Sequence, residues 1–438
     1  MNSLESRLLS ALTPWLAAPG WRVAFSGGLD STVLLHLLTR LAQQQRIPPL
    51  SAIHIQHGLQ RAAQAWPAHC QTVCQGLGVP LQIESVQVES GASLEQAARQ
   101  ARYGAFATLL APCEVLLTAQ HGDDQAETLL FRLARGSGVK GMAGMPVQRP
   151  LGMGHLLRPL LNVSRAELQT YAQAQGLTWV EDPSNLDSHY SRNFLRKDVL
   201  PLLESRWPAM QLNLRRSAGL FAESQQLLDE LATMDLAAAQ DSVALPWLPL
   251  PSLALAPLCG LSDARQRNAL RAFLAPLTRL PDLDHWAGWM SLRDATVDAT
   301  PVWRLAQGEL RRANGRIWWL SECWQQEVAA NISWQKPNQL LLLPGNGELR
   351  LLGEPPAGVL EIRYRQGGEE LTITGRGRRD LKRLLNEAGV PNFVRSRLPL
   401  LYADERLLAV ANFPRLSAAL APKWQLQWMP PISAQGLS

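Results

Sequence analysis

Ser26-Gly27-Gly28-Leu29-Asp30-Ser31 decides the fold of this chain. Val23-Ala24-Phe25 precedes it and reads as a short buried strand, while Val33, Leu34, Leu37, Leu38 and Leu41 follow at helical spacing. Strand, glycine pair and helix together make a phosphate-binding arrangement. Gly27 and Gly28 let the backbone approach oxygen atoms closely, and the helix N-terminus offers free N–H groups at the positive end of its dipole. Ser26 and Ser31 add hydroxyl donors. The lysine-bearing Gly-x-x-x-x-Gly-Lys-Ser/Thr pattern is absent, which excludes a Walker A loop. Taken alone, the stretch also fits a serine-capped helix after a glycine turn, a reading that the downstream motifs disfavour.

Working outward, residues 22–150 alternate strand-like and helix-like segments. Strands are predicted at 22–25, 50–55, 81–86 and 114–118, with helices between them at 63–76 and 93–110. Short Val/Ile/Leu-rich strands alternating with helices predict an α/β, parallel, doubly wound sheet covered on both faces. Ligands bind such sheets beyond the carboxyl ends of the strands, where the glycine loop, His54 to His57 and residues 119–127 converge. The leading segment 4–18 reads as an amphipathic helix and not as a signal peptide, given Glu5 and Pro14. Ser164 and Glu167 form a capping box for a helix over 164–176, and a basic helix follows at about 190–204. Residues 211–235 and 262–275 are helical in pattern, whereas 359–364, 371–374 and 407–411 are strand-like beside a basic helix at 378–388. The predicted organisation is a catalytic domain at 1–212, a small helical domain at 213–325 and a mixed α+β domain at 345–430.

A length of 438 residues requires more than one core, and 46% hydrophobic with 18% charged residues is a globular balance. No apolar run is long enough to span a bilayer. The five cysteines form no Cys-x-x-Cys pair, which points to reduced thiols and a cytoplasmic protein and not to a metal site or disulfides. Net charge of +5 and a pI near 9.1 mildly favour a polyanionic partner.

Thr118-Ala119-Gln120-His121-Gly122-Asp123-Asp124-Gln125-Ala126-Glu127-Thr128 opens a helix after the fourth strand. Asp124 and Glu127 share one helix face, either to cap the dipole or to receive an ammonium group. His121 is a proton carrier at neutral pH or a structural histidine. Gly136, Gly138 and Gly141 match Gly-x-Gly-x-x-Gly but follow a helix, so a dinucleotide loop is excluded in favour of a glycine turn. Asp182-Pro183-Ser184-Asn185 is a rigid turn before Arg192 and Arg196, which either clamp a phosphate or form a solvated basic face. Arg376, Arg378, Arg379, Lys382 and Arg383, with Arg395 and Arg397 beyond, cluster positive charge suited to an RNA backbone.

The Ser-Gly-Gly-x-Asp-Ser loop resembles that of the N-type ATP pyrophosphatases, the PP-loop superfamily. The ordered set SGGLDS, HIQHGL, TAQHGDDQAET, RGSG, RPLL, EDPSN and RNFLR, with the later run RRDLKRLLNEAGVPNFVRSRLPLLY, resembles the tRNA(Ile)-lysidine synthase family. That resemblance implies ligation of L-lysine to C2 of the wobble cytidine in a CAU-anticodon tRNA(Ile), changing codon reading from AUG to AUA. ATP and Mg2+ are the implied cofactors, with an adenylated cytidine as intermediate. Ser26, Gly27, Gly28, Leu29, Asp30 and Ser31 would hold ATP, and Asp30 the metal. Asp30, His121, Asp124, Glu127, Arg192 and Arg196 would carry the catalysis. The cluster from Arg376 to Arg383 would grip tRNA, and a homodimer is left open. Two positions depart from the family pattern: Gln60 replaces an arginine after His57-Gly58-Leu59, and Gln120 replaces the first of two histidines. A thiolase-like tRNA modifier would need paired cysteines, an amidating pyrophosphatase would not need a basic domain, and a non-catalytic RNA-binding protein would not need these carboxylates.

Overall fold

A computed structural model of the protein describes residues 3–56, 64–88, 94–183, 191–240, 245–281, 284–296, 299–328, 331–373, 377–418 and 423–431. The chain divides into two compact units, Met1–Gln226 and Leu227–Ser438.

The first unit is built on β1 (Trp21–Ala24), β2 (Leu50–Gln56), β3 (Leu81–Ser85), β4 (Val115–Leu117), β5 (Gln148–Leu151) and β6 (Gly154–Leu157), in sheet order β3-β2-β1-β4-β6-β5. The first four strands and β6 run parallel, and β5 is an antiparallel edge. Strand alternation splits the core. Ala52, Val115 and Leu117 face the helices α1 (Ser3–Leu12), α2 (Leu29–Gln44), α3 (Trp66–Leu77) and α7 (Arg165–Ala174). Ile53, Ile55 and Leu116 face Phe106 and Leu110 at the end of α4 (Leu94–Leu109). Both faces are therefore covered, as the run of short apolar strands predicts. The β5–β6 hairpin went unread in the sequence, because Pro150, Gly152 and Gly154 break the apolar pattern that marks a strand.

Beyond the sheet lie α5 (Gly122–Leu133), α6 (Val139–Met142), α8 (Ser191–Phe194), a π-helical turn at Leu195–Val199, α9 (Leu200–Arg206) and α10 (Met210–Ala239). The α7 capping box is present, with the Ser164 side chain accepting from the Glu167 N–H. The expected boundary at 212/213 falls inside α10, one uninterrupted helix.

In the second unit the expected helix at 262–275 forms as α12 (Asp263–Leu274), and α11 (Leu255–Cys259) and α13 (Ala287–Asp294) stand beside it without having been read from the sequence. They pack on a sheet not read from the sequence: β7 (Ser252–Ala254), β8 (Val302–Leu305), β9 (Gly308–Ala313) and β10 (Arg316–Ser321), antiparallel in order β7-β10-β9-β8. A second antiparallel sheet orders β11 (Ile332–Ser333), β14 (Leu360–Arg363), β17 (Leu400–Ala403) and β18 (Arg406–Val410) as β11-β14-β17-β18. A third joins β12 (Leu341–Leu342), β13 (Glu348–Gly353) and β19 (Trp424–Met429). β15 (Glu370–Ile373) pairs with β16 (Gly377–Asp380), ahead of α14 (Leu381–Glu387) and α15 (Asn392–Arg395). The expected helix at 378–388 therefore begins only at Leu381, and Arg378 and Arg379 sit on a strand.

Arg397 holds this unit together. It is only 5% exposed, so its place in an RNA-facing cluster is corrected to a structural one. Its guanidinium donates to the carbonyls of Trp324 (2.9 Å), Gln326 (2.8 Å) and Gly345, and to Asn346 Oδ1 (3.1 Å). It also lies 5.4 Å from the Trp324 ring centroid. These partners lie far from it in sequence, so one side chain satisfies buried acceptors of several loops. Arg397→Ala is expected to lower stability by about 3 kcal/mol or more, since several buried carbonyls lose their donor. Urea unfolding followed by tryptophan fluorescence measures it, and Arg397→Lys is expected to recover little, because an ammonium cannot reproduce the planar fork.

Candidate active site

Gly27 adopts φ +81°, a conformation costly for any residue with a Cβ, and its neighbours leave no room for one. A Cβ there would meet Cys70 Sγ at 3.0 Å and Val180 Cγ2 at 3.3 Å. The Val180 N–H donates to the Gly27 carbonyl at 2.9 Å, which brings the segment before Asp182-Pro183 against the loop. Gly28 caps α2. Ser26 Oγ and Ser31 Oγ lie 3.0 Å apart, Ser31 Oγ donates to the Gly28 carbonyl at 3.1 Å, and the Gly28 N–H donates to Ser26 Oγ at 3.3 Å. The two serines thus fix the turn that presents the N-terminus of α2.

A cavity of about 330 Å³ opens here, within the size range of small-ligand sites. Ser26, Gly28, Asp30 and Ser31 line it on one side, and Gln120, Asp124, Asp182 and Arg192 come from other segments. The expected convergence of the loop with residues 119–127 is therefore present. Ser184, Asn185, Gln60 and Arg376 lie outside the described residues, as does the segment from His57 to Leu59.

His121 is 1% exposed and caps α5, its Nδ1 accepting from the Asp123 N–H at 3.2 Å. Its ring nitrogens lie 3.6 Å from carboxylate oxygens of Asp30, Asp123 and Asp124. Burial disfavours the charged ring, but these carboxylates outweigh it and push His121 up to about 10. His121 therefore ties the glycine loop to α5 through its contacts to Asp30 and Asp124.

Glu127 and Arg196 are placed differently from expectation. Glu127 is 1% exposed and does not line the cavity. Arg196 donates to both its carboxylate oxygens, at 2.6 and 3.0 Å, and also to Asp124 Oδ1 at 3.2 Å. Burial raises the Glu127 carboxyl above its usual range, with Arg196 acting against that rise. In this arrangement Glu127 is a partner of Arg196 and is closed to an incoming ammonium, and the Arg196 fork is taken up by carboxylates. Arg192 instead lines the cavity, with Nη2 donating to Thr128 Oγ1 at 3.3 Å. The glycine turn after α5 ends the helix, since Arg132 is spent on the Gly141 (2.7 Å) and Gly144 (2.6 Å) carbonyls.

Asp30, Asp124 and Asp182 are the carboxylates that line the cavity, and Asp30 Oδ1 is buried with no hydrogen-bond partner. Among the described residues no group of three or more His, Cys, Asp or Glu gathers as a metal site. That donor set fits a magnesium ion completed by phosphate oxygens and water. Sequence reading missed Arg99, Arg102 and Tyr103, which line the far wall from α4. Their signal was the i, i+3, i+4 spacing that puts all three on one helix face. All five cysteines are free. Cys70 and Cys74 are buried in the core, and burial pushes the Cys70 thiol up to about 12, which suits neither a sulfur relay nor a cluster ligand.

In the second unit Arg378 is ion-paired with Glu370 and Arg383 with Glu387 (3.0 Å), whereas Arg379 and Lys382 are exposed and without a carboxylate partner among the described residues. Arg395 turns inward, its Nε donating to the Val390 carbonyl at 2.8 Å.

The fold and this site define an ATP-using PP-loop protein: the PP-loop domain family matches residues 1–203. The TilS substrate binding domain matches residues 253–318, and the TilS substrate C-terminal domain matches residues 360–428. A tRNA(Ile)-lysidine synthase of Pseudomonas aeruginosa is 61% identical, over 99% of this chain and 99% of that one. The same-named protein of Pseudomonas syringae pv. tomato is 60% identical over 100% and 98%, and that of Escherichia coli O157:H7 is 43% identical over 89% and 91%. The chain belongs to the tRNA(Ile)-lysidine synthase family.

Arg196→Ala leaves Glu127 buried without its cation. A loss of about 3 kcal/mol or more is expected in chemical denaturation, with Arg196→Lys recovering only part because the two-pronged bond is lost.

Proposed function

We propose that this protein joins L-lysine to C2 of the wobble cytidine of a CAU-anticodon tRNA(Ile), using ATP, in the cytoplasm. The observation that carries the reading is the convergence of the glycine loop, Asp30, Asp124 and Arg192 on one cavity in a chain of this family. In the first step the cytidine O2 attacks the ATP α-phosphorus, and the bond to pyrophosphate breaks. The loop N–H groups and the dipole of α2 receive the departing negative charge. Arg192 faces the same space and balances charge on the transferring phosphate. Bound magnesium, held by Asp30, would neutralise phosphate charge.

In the second step the lysine ε-amine attacks C2, the C2–O bond breaks, and AMP leaves with that oxygen. Lysine arrives as an ammonium and must be placed and deprotonated. Asp124 is the carboxylate of the Asp124–Glu127 pair that is open to it, while Glu127 acts by fixing Arg196. His121 holds Asp30 and Asp124 in register.

Asp30→Asn is expected to lower pyrophosphate release at least a hundredfold while tRNA affinity stays near wild type, on the scale of losing a preorganised charge at a reacting phosphate. Labelled lysine incorporated into tRNA, with AMP and pyrophosphate followed alongside, checks it. AMP release by wild type without lysine transfer would reassign the nucleophile. In the second unit Arg379 and Lys382, exposed and unpaired with carboxylates among the described residues, are the cations for gripping the tRNA backbone away from the anticodon. Replacing both by serine is expected to weaken tRNA binding and to flatten log K against log salt by about 0.9 for each phosphate no longer neutralised, read by filter binding.

A further inference from the structure

We propose that Arg99, Arg102 and Arg149, gathered round the ring of Tyr103, form a phosphodiester-binding site for the RNA backbone flanking the target cytidine. The proposal rests on the functional reading above. Arg99 and Arg102 stand beside Tyr103 on one face of α4, and Arg149 comes from the edge strand β5. Their guanidinium carbons lie 4.8, 5.9 and 5.1 Å from the Tyr103 ring centroid, close enough for the ring to hold them by cation–π attraction. None of the three has a carboxylate partner among the described residues. Arg158 and Arg192 stand nearby and add to the positive field, and burial together with Arg99 and Arg192 holds Arg102 below its usual range. Burial raises the Tyr103 phenol, yet the arginines around it outweigh that and bring it below its ordinary value. Like charges assembled in a half-buried place repel one another, and a bound anion relieves that repulsion.

Phosphate reaches this cavity from two sources, ATP and RNA. The ATP triphosphate already has the glycine loop, the α2 N-terminus and Arg192. Arg99, Arg102 and Tyr103 line the cavity but Arg149 does not, so the cationic group runs from the cavity wall to the surface beyond it. A wobble base delivered into the cavity stays covalently joined to a phosphate on each side. Those two charges have to rest at the rim, where this group lies.

The test uses the full-length protein, a CAU-anticodon stem-loop RNA and, separately, displacement of a fluorescent ATP analogue without RNA. Arg149→Gln and Arg99→Gln are each expected to weaken stem-loop binding about fivefold and to reduce the slope of log K against log salt by about 0.7, the value for one phosphate of a single strand. Arg149→Lys is expected to keep the wild-type slope, which separates charge from folding. Arg149→Gln is expected to leave the affinity for the ATP analogue within about twofold of wild type. Wild-type RNA affinity and slope in both glutamine variants, or a loss confined to ATP-analogue binding, would overturn the inference while leaving the functional reading in place. Failure of the wild-type protein to bind the stem-loop would overturn the inference, whereas the functional reading falls only if the lysine-incorporation assay on whole tRNA fails.

Discussion

The buried ion pair between Arg196 and Glu127 is the interaction on which the arrangement of the cavity depends. A carboxylate at 1% exposure is tolerable only with a partner, and Arg196 supplies two parallel hydrogen bonds to it and a third to Asp124. Because Arg196 sits in the π-helical turn, the pair fixes that turn against α5, and Arg192 one segment earlier is thereby aimed at the cavity. From Asp124 the chain of charges continues through His121 to Asp30 and the glycine loop. A connected set of carboxylates, an imidazole and a guanidinium thus links three segments distant in sequence. Arg196 stabilises Glu127 and Asp124 together, which keeps these ionised groups in a partly dry site.

The elements that carry long apolar periodicity were legible in the sequence. The four parallel strands and helices α2, α4, α7, α10 and α12 form within a few residues of expectation, since their patterning and caps are local properties. The β5–β6 hairpin and the sheet β7-β10-β9-β8 were not legible. Their strands are short and interrupted by proline, glycine or arginine, so the alternation that marks a strand is broken even where the partner is the next strand along the chain. The same division holds for the site. The loop residues and Asp124 belong to motifs with fixed local spacing, and the structure brings them together. The burial of Glu127, the capture of Arg196 and the gathering of carboxylates round His121 are products of tertiary packing, which spacing along the chain does not encode. Arg397 makes the point most sharply: in sequence it continues a basic cluster, and in the fold it is an internal cross-brace.

Buried charge is met in two ways in this chain, with one example taken from each unit. In the first, guanidinium groups meet carboxylates that also face a ligand cavity, so binding and structure share the same atoms. In the second, Arg397 meets only backbone carbonyls and a side-chain amide, which makes it a scaffold element with no carboxylate to exchange.

The antiparallel edge strand β5 has one more consequence. A six-stranded sheet with open margins invites another chain to pair with it. Pro150 withholds an N–H from one margin, and Arg149 beside it adds a charge. At the other margin β3 ends in Glu84 and Ser85. The hairpin that completes the sheet therefore also guards it against edge-to-edge aggregation as the chain folds.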